Sequence, residues 1–340
     1  MTGRCLSSNF HTPDVKPLGR TPVFEVLRAV QSFLKPSAGV WVPMTTGILT
    51  LFRFFGVCAL AWGLAGCSPR HLIIQSVANE LAQQGQAVED DLGLAREASS
   101  FYLKLSEGLL REAPDNLALA EAVAAGFTQY AFALVAFEAE RLESQDARAA
   151  QVLNERARRL YLRAHRHAML ALERQHPGFL KALSQPDASR WPTLQASQVG
   201  VAYWAAASWG AYISLSKDLP EVVADLPVAF RLAQLAWRVS PKHANGDLIS
   251  LMGSFEAARA GGSAQQASVY FDAAIAAGAG KSAGAYVAKA ESIALKAGDR
   301  PAFEALLRQA LRVSAEHRDL PNEVMRERAQ WLLATADDLF

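Results

Sequence analysis

The sequence has little net charge and few cysteines. Its 340 residues contain 34 Lys and Arg against 33 Asp and Glu, a formal net charge of +1. Nucleic-acid binding usually shows as a basic excess, so we expect no nucleic-acid partner. The three cysteines are Cys5, Cys58 and Cys67. The body of the chain after residue 67 therefore holds neither an internal disulfide nor a cysteine-rich zinc site.

The sequence also lacks the motifs of catalysis and nucleotide binding. It has no H-E-x-x-H and no G-x-S-x-G. The segment 278–282, Gly-Ala-Gly-Lys-Ser, ends like a phosphate-binding loop, but Ile275 stands where the motif needs its first glycine. We interpret Gly278 as a helix C-cap and Ser282 as the N-cap of the next helix. No enzymatic activity and no cofactor are expected.

Histidines and arginines are concentrated around residues 155–175. His165 and His167 lie two positions apart on a predicted helix, so their side chains point about 200° apart and cannot share a metal. We therefore expect no metal site. The run of arginines around them, with Glu155 and Glu173 nearby, predicts a solvated helix face with surface histidines.

What the sequence does contain is apolar and helical. Hydrophobic residues make up 51% of it, alanine dominates the middle and end, and no segment alternates with period two over six residues. Alanine is the best helix former, so an all-α protein without significant sheet is predicted. We expect helices near residues 72–84, 91–112, 116–143, 146–174, 193–216, 221–239, 244–260, 264–277, 282–297, 300–314 and 321–338, with a short helix and loop over 178–192. Their short connections favour antiparallel neighbours.

Four helices share one spacing of small and aromatic residues. Ala229, Ala233, Ala236 and Pro241 have offsets 0, 4, 7 and 12, as in the second helix of a tetratricopeptide (TPR) repeat. The same offsets recur at Ala164, Ala168, Ala171 and His176; at Ala267, Phe271, Ala274 and Ala279; and at Phe303, Leu307, Ala310 and Ala315. The pattern predicts degenerate TPR-like antiparallel helix pairs stacked into a compact superhelix. Chance matches in alanine-rich helices are the alternative.

Residues 44–66 are typical of an export signal. From Met44, the basic Arg53, an apolar stretch and small residues follow in the order of a signal peptide, predicted over 44–66. Residues 1–43 show no sustained period and are expected to be disordered or to precede the true start at Met44. The mature TPR-like domain is expected over 67–340. Its balance of 28 basic to 31 acidic residues argues further against nucleic acid.

The end of this segment resembles the lipobox of bacterial lipoproteins. Leu64, Ala65 and Gly66 suit the signal peptidase, and the Cys67 thiol is the one side chain there that can form a thioether to diacylglycerol. Several acyl chains on one residue give stable membrane anchoring. Ser68, where an Asp would retain a lipoprotein at the inner membrane, favours the outer membrane. The alternative is a buried cysteine at the end of a core helix.

One aromatic cluster is a candidate site. Tyr203, Trp204, Trp209 and Tyr212 lie within ten residues of one predicted helix among alanines. Ordinary core packing explains such a cluster, with the indole and phenol groups reaching polar partners. The functional alternative is an aromatic lining of an apolar cavity or a partner surface.

Several segments, in this order, resemble one known family. They are the lipobox, 113–122 (A-P-D-N-L-A-L-A-E-A), the long helix ending near Glu143, Tyr203-Trp204, 226–241 (L-P-V-A-F-R-L-A-Q-L-A-W-R-V-S-P), 270–287 and 299–307. Together they are similar to the T-component (TatT) of tripartite ATP-independent periplasmic (TRAP) transporters, over most of 67–340.

The resemblance implies a periplasm-facing lipoprotein of TPR-like helix pairs without a defined catalytic motif. It implies association with the solute-binding P-subunit of the transporter, a homotrimer, and a channel-like apolar pore for a hydrophobic ligand. Of site residues, only the lipidated Cys67 carries over. A TPR-like scaffold lipoprotein of an envelope assembly or secretion complex is the alternative function.

Overall fold

The computed structural model describes residues 69–84 and 92–340, all within the unit Cys67–Phe340. The predicted extension 1–43, the signal peptide 44–66 and the anchor Cys67 lie outside the described residues. Within the described ranges the chain is α-helical and contains no strand. The predicted all-α class is confirmed.

The helices of the first half are mostly long and run close to their predicted bounds. The helical run that begins at Leu117 continues through a six-residue π-helical segment without a break. These elements are α1 (Pro69–Gln84), α2 (Leu92–Glu112), α3 (Leu117–Tyr130), the first π segment (Ala131–Ala136), α4 (Phe137–Leu142), α5 (Ala147–Gln175) and α6 (Phe179–Leu183).

The second half contains shorter helices and a second π segment. The predicted helix 221–239 is two helices, because Pro227 lacks a backbone N–H and takes a place in the first turn of a new one. The elements are α7 (Val199–Ser214), α8 (Pro220–Val223), α9 (Leu226–Val239), α10 (Asp247–Ala258), α11 (Ala264–Ala277), α12 (Gly284–Lys289), the second π segment (Ala290–Leu295), α13 (Arg300–Glu316), α14 (Leu320–Ala334) and α15 (Ala336–Leu339).

Polar N-caps fix where several helices begin. The Asn116, Asp146 and Asp299 side chains each accept a hydrogen bond from the backbone N–H three residues on, at 2.9 to 3.0 Å. Gly278 is the C-cap of α11, as predicted, but Ser282 is not an N-cap. Instead Ala283 donates its N–H to Asn322 Oδ1 at 2.9 Å, so a distant helix satisfies this end.

Helix α7 lies at the centre of the main core. It packs against α3, α5 and α9, and its alanines allow these helices to approach closely. A second core is formed by α12 to α15 and the second π segment. The last helices contact the first half of the described chain, because α14 contacts α2 and Trp331 packs edge-on against Phe137 of α4 with ring centroids 5.5 Å apart. The helix stack is therefore closed on itself.

Most residues of the four predicted repeat sets pack in the helical core. In each of the four sets, the residues at offsets 0, 4 and 7 are buried, while the residue at offset 12 lies outside the core. This is what close helix pairing requires. The assignment to TPR-like repeats itself stays a prediction.

One stretch of the described chain, Leu117–Leu142, is long and apolar enough to cross a bilayer by length and composition. Nearly half of its most apolar part is buried inside the protein. Its buried side packs on α5 and α7, as the side of a core helix does.

Candidate functional site

The aromatic cluster lies on α7, a helix without a single charged residue. Ala202, Ala205 and Ala206 are fully buried against its neighbours. At Gly200, a side chain would collide with the Glu121 carboxylate of α3. Burial raises the pKa of Glu121. Small residues thus set the spacing of α7, and its aromatic residues fill the remaining space.

Two of the four predicted site residues pack in the core. Tyr203 is 8% exposed and Trp209 is 7% exposed. The Trp209 ring lies 4.4 Å from the His165 ring of α5, centroid to centroid. His165 Nδ1 lies 3.1 Å from the Ala205 carbonyl oxygen, to which the neutral ring donates its proton. Burial lowers the pKa of His165 to about 4, so this imidazole is neutral at pH 7.

The Tyr203 ring contacts two other aromatic rings and lies near the Asp247 carboxyl group. It packs edge-on against Trp204 at 4.8 Å and His243 at 5.5 Å between centroids. Burial raises the pKa of Tyr203, and the nearby charge of Asp247 adds to this. Asp247 stands in the first turn of α10, where the helix dipole favours an ionised carboxylate. Burial and the charge of Asp319 nevertheless raise its pKa to about 6.

The other two aromatic residues, Trp204 and Tyr212, are half-buried. Tyr212 lines a cleft of about 550 Å³ along the first half of α5. Its walls are mostly polar and include Glu143, Asn154, Arg158, Arg159 and Asp218. The Asn154 Oδ1 atom is buried and has no hydrogen-bond partner among the described residues. The cleft is therefore a polar recess, not an apolar tunnel.

Helix α5 carries a long ridge of arginines. It contains seven arginines and two glutamates, in a body of 28 basic and 31 acidic residues. We call the arginine ridge the exposed set Arg148, Arg156, Arg159, Arg166 and Arg174. The prediction of a solvated helix face is confirmed at Arg156, Arg159 and Arg166, while Arg158 and Arg163 of the predicted run are half-buried.

The prediction of surface histidines on the same helix is wrong. His165 packs on Trp209, and His167 Nε2 lies 2.9 Å from Glu107 Oε1 of α2. Arg163 binds the same carboxylate through Nε at 2.5 Å and through a second nitrogen. Although burial raises the pKa of Glu107, hydrogen bonds from Arg163, Lys104 and His167 hold it at about 2. Arg163 and His167 of this polar run therefore form a structural anchor between α5 and α2.

A second ion-pair cluster, which the sequence analysis missed, joins α14 and the second π segment to α4. Arg328 of α14 is 7% exposed and binds Glu291 of the second π segment at 3.1 and 2.6 Å, and Glu140 of α4 at 2.9 Å. Its guanidinium also lies over the Phe132 and Phe137 rings, at 5.4 and 5.3 Å. No sequence signal could have revealed it, because its partners are 37 and 188 positions away.

The remaining predictions on sites concern metals and the lipobox. Among the described residues, no group of three or more His, Cys, Asp and Glu side chains could hold a metal ion. Leu64, Ala65, Gly66 and Cys67 lie outside the described residues.

Comparison with known proteins places the chain among transport components. The profile of a family described as TRAP transporter T-component matches residues 88–340. The chain is also similar to an uncharacterized protein of Treponema pallidum (strain Nichols), 27% identical over 315 residues. That alignment covers 84% of this chain and 96% of the relative.

Proposed function

Because the chain belongs to the TRAP transporter T-component family, we propose that it is a non-enzymatic accessory lipoprotein of a TRAP-type solute uptake system. Family membership makes it an accessory component of the transporter and suggests a place in the cell envelope. The finer proposal is anchoring through acyl chains on Cys67, on the periplasmic face of the outer membrane. In that position the helical body binds the solute-binding P-subunit.

The observation that carries the partner-binding proposal is the joint placement of the arginine ridge and the polar cleft. Arg158 and Arg159 line the cleft, and the ridge continues from there along the exposed side of α5. A surface dense in arginine suits an acidic partner, since complementary charge speeds association and selects the partner. An open, polar recess favours protein docking over the enclosure of a small apolar molecule.

The aromatic cluster supports a smaller part of the proposal. Tyr203 and Trp209 are core residues, so an apolar ligand would contact the half-buried Trp204 and Tyr212. We keep binding of a hydrophobic small molecule in an internal cavity as an expectation from the family. Trp204→Ala is expected to weaken such binding with little loss of helicity. Trp237→Ala, a half-buried tryptophan of α9, is the matched control.

The partner-binding proposal is tested by cross-linked pull-down of the lipidated protein from native membranes, read by mass spectrometry. We expect recovery of a periplasmic solute-binding subunit. The variant Arg159→Glu with Arg166→Glu should lose at least roughly tenfold in recovery, and high salt should act in the same direction. Arg312→Glu, an exposed reversal on α13, is the control.

Two outcomes would contradict the partner-binding proposal. Equal recovery by the double variant would remove the arginine ridge from the interface. Recovery of envelope assembly or secretion components, with no solute-binding subunit, would favour the alternative function of a TPR-like scaffold.

A further inference from the structure

Glu121 of α3 is a half-buried residue whose carboxylate lies directly on the backbone of α7. A methyl group added at Gly200 would occupy the position of the Glu121 carboxyl group. The lack of a side chain at Gly200 is therefore what makes room for this carboxylate between the two helices. The carboxylate is fixed at one place on α7 and still has contact with solvent on its open side.

Glu121 differs from the fully buried glutamates in having no cationic partner. Glu107 and Glu256 each bind an arginine. In the part of the chain that the structure describes, no cation or hydrogen-bond donor lies at the Glu121 carboxylate, and burial alone accounts for its raised pKa. Burial of a carboxylate without a counter-charge is costly. A cation from outside the chain would remove this cost.

An aromatic ring lies beside the Glu121 carboxylate. Trp204 follows Gly200 by four positions, so both are on the same side of α7. Large side chains in a helix lean toward its N-terminus and cover the preceding turn. The half-buried indole of Trp204 therefore covers the turn that carries Glu121, and the Tyr203 ring packs edge-on against it at 4.8 Å between centroids. A carboxylate next to an indole face is a combination that binds organic ammonium groups.

Other cations of the protein do not compete for this position. Trp209, which packs on His165 of α5, lies nine positions after Gly200, or about two and a half turns of helix. Helix α5 with its arginines is therefore on the opposite side of α7. A metal ion would need further ligands, and among the described residues no group of three or more His, Cys, Asp and Glu side chains could hold one. An organic ammonium group needs only one carboxylate and a ring face.

We propose that Glu121 and Trp204 bind the ammonium group of a small organic ligand, with the carboxylate as counter-charge and the indole as a wall of the site. This ligand class rests on the small-molecule binding at Trp204 that the proposed function includes, and it adds a charged group to the apolar ligand expected there. An apolar ligand alone needs no charge, so a matched pair of charged and uncharged probes separates the two.

The test compares choline with 3,3-dimethylbutan-1-ol, in which a carbon atom replaces the nitrogen and removes the charge while the shape is kept. Each probe is titrated against the full chain in dodecyl maltoside micelles, with empty micelles as the blank. Saturation-transfer NMR on the methyl protons of the probe measures binding. Choline should bind in the millimolar range or more tightly, and the uncharged probe at least roughly tenfold more weakly.

Glu121→Gln provides the decisive comparison. It should abolish the preference for choline, so that both probes bind equally weakly. Its thermal transition, followed by circular dichroism, should not fall, because no partner within the chain is lost. Glu316→Gln, an exposed glutamate of α13, should change nothing. Trp204→Ala should weaken choline binding, whereas Trp237→Ala should not.

Three results would overturn the inference. They are a lack of choline binding to the wild-type chain, equal binding of the uncharged probe, and a preference for choline that survives in Glu121→Gln. Equal binding of both probes that is lost in Trp204→Ala would leave the apolar site of the proposed function intact while excluding the ammonium site. Recovery of the solute-binding subunit is a separate measurement and does not depend on either probe.

Discussion

Helices α5 and α7 lie against each other, yet they are opposites in composition. Helix α5 contains seven arginines, while α7 contains no charged residue at all. Helix α7 is surrounded by α3, α5 and α9, so a charge on it would need a buried partner. Helix α5 has one covered side and one exposed side. Within this pair, chemistry available to a partner is therefore on α5, whereas α7 mainly holds the structure together.

The sharpest test of that difference is the removal of a core aromatic residue from α7. Trp209→Ala should cost about 3–5 kcal/mol in unfolding free energy, because the indole is buried against His165 and leaves a cavity. Urea denaturation followed by circular dichroism measures this loss. A loss below about 1 kcal/mol would show that Trp209 is not part of the core.

The second-largest loss of unfolding free energy is expected when the ion-pair anchor between α5 and α2 is removed. Glu107→Gln should cost about 2 kcal/mol, since it leaves Arg163 and His167 without their carboxylate while Arg163 remains partly solvated. The folded pKa of about 2 lies below the ordinary value of 4.5, so the wild-type contribution is complete above pH 4.5 and is lost as pH falls towards 2. The variant should lack this dependence in denaturation curves recorded between pH 5 and 3.

His165 lies at the contact of α5 with α7 and should make the stability of the fold depend on pH in a second way. Its folded pKa of about 4 lies below the ordinary value of 6.5, so protonation favours the unfolded chain between these limits. Stability should be complete above pH 6.5 and lower by about 2 kcal/mol at pH 5. Comparing thermal unfolding of the wild type and of His165→Gln at pH 7 and pH 5 measures it. An equal pH dependence in both would assign the effect to another group.

The smallest effect on stability is expected on the arginine ridge. Arg159→Ala should change the unfolding free energy by less than about 0.5 kcal/mol, because the side chain is exposed. Its thermal transition should coincide with that of the wild type even where recovery of the solute-binding subunit falls. A large loss of stability would place Arg159 in the structural anchor instead of on the partner surface.

The sequence and the structure agree best where a single periodicity governs. The bounds of α11 match the predicted helix exactly, and those of α5 are within one residue. The break between α8 and α9 was missed, although Pro227 was a visible signal for it. The prediction of an N-cap at Ser282 was wrong, because the Ala283 N–H at this helix end binds Asn322, which lies 39 positions further along the chain.

Site residues were harder to predict than helices. The density of aromatic residues along one predicted helix identified the cluster on α7, but it did not indicate which of the four side chains would be buried in the core. Tyr203 and Trp209 proved to be core, and Trp204 and Tyr212 half-exposed. The histidines of α5 were misplaced because their partners, Glu107 and the Ala205 carbonyl, belong to other helices.

The sequence by itself determined the all-α class, most helix bounds and the charge contrast between α5 and α7, because these depend on local propensity and on which residues repeat along one helix. Only the tertiary structure decided the closure of the helix stack through Arg328 and the carboxylate anchor at Glu107. Each of these brings together groups that lie far apart in the chain. Local pattern holds no information about such pairs, since burial and charge pairing arise only when whole helices pack.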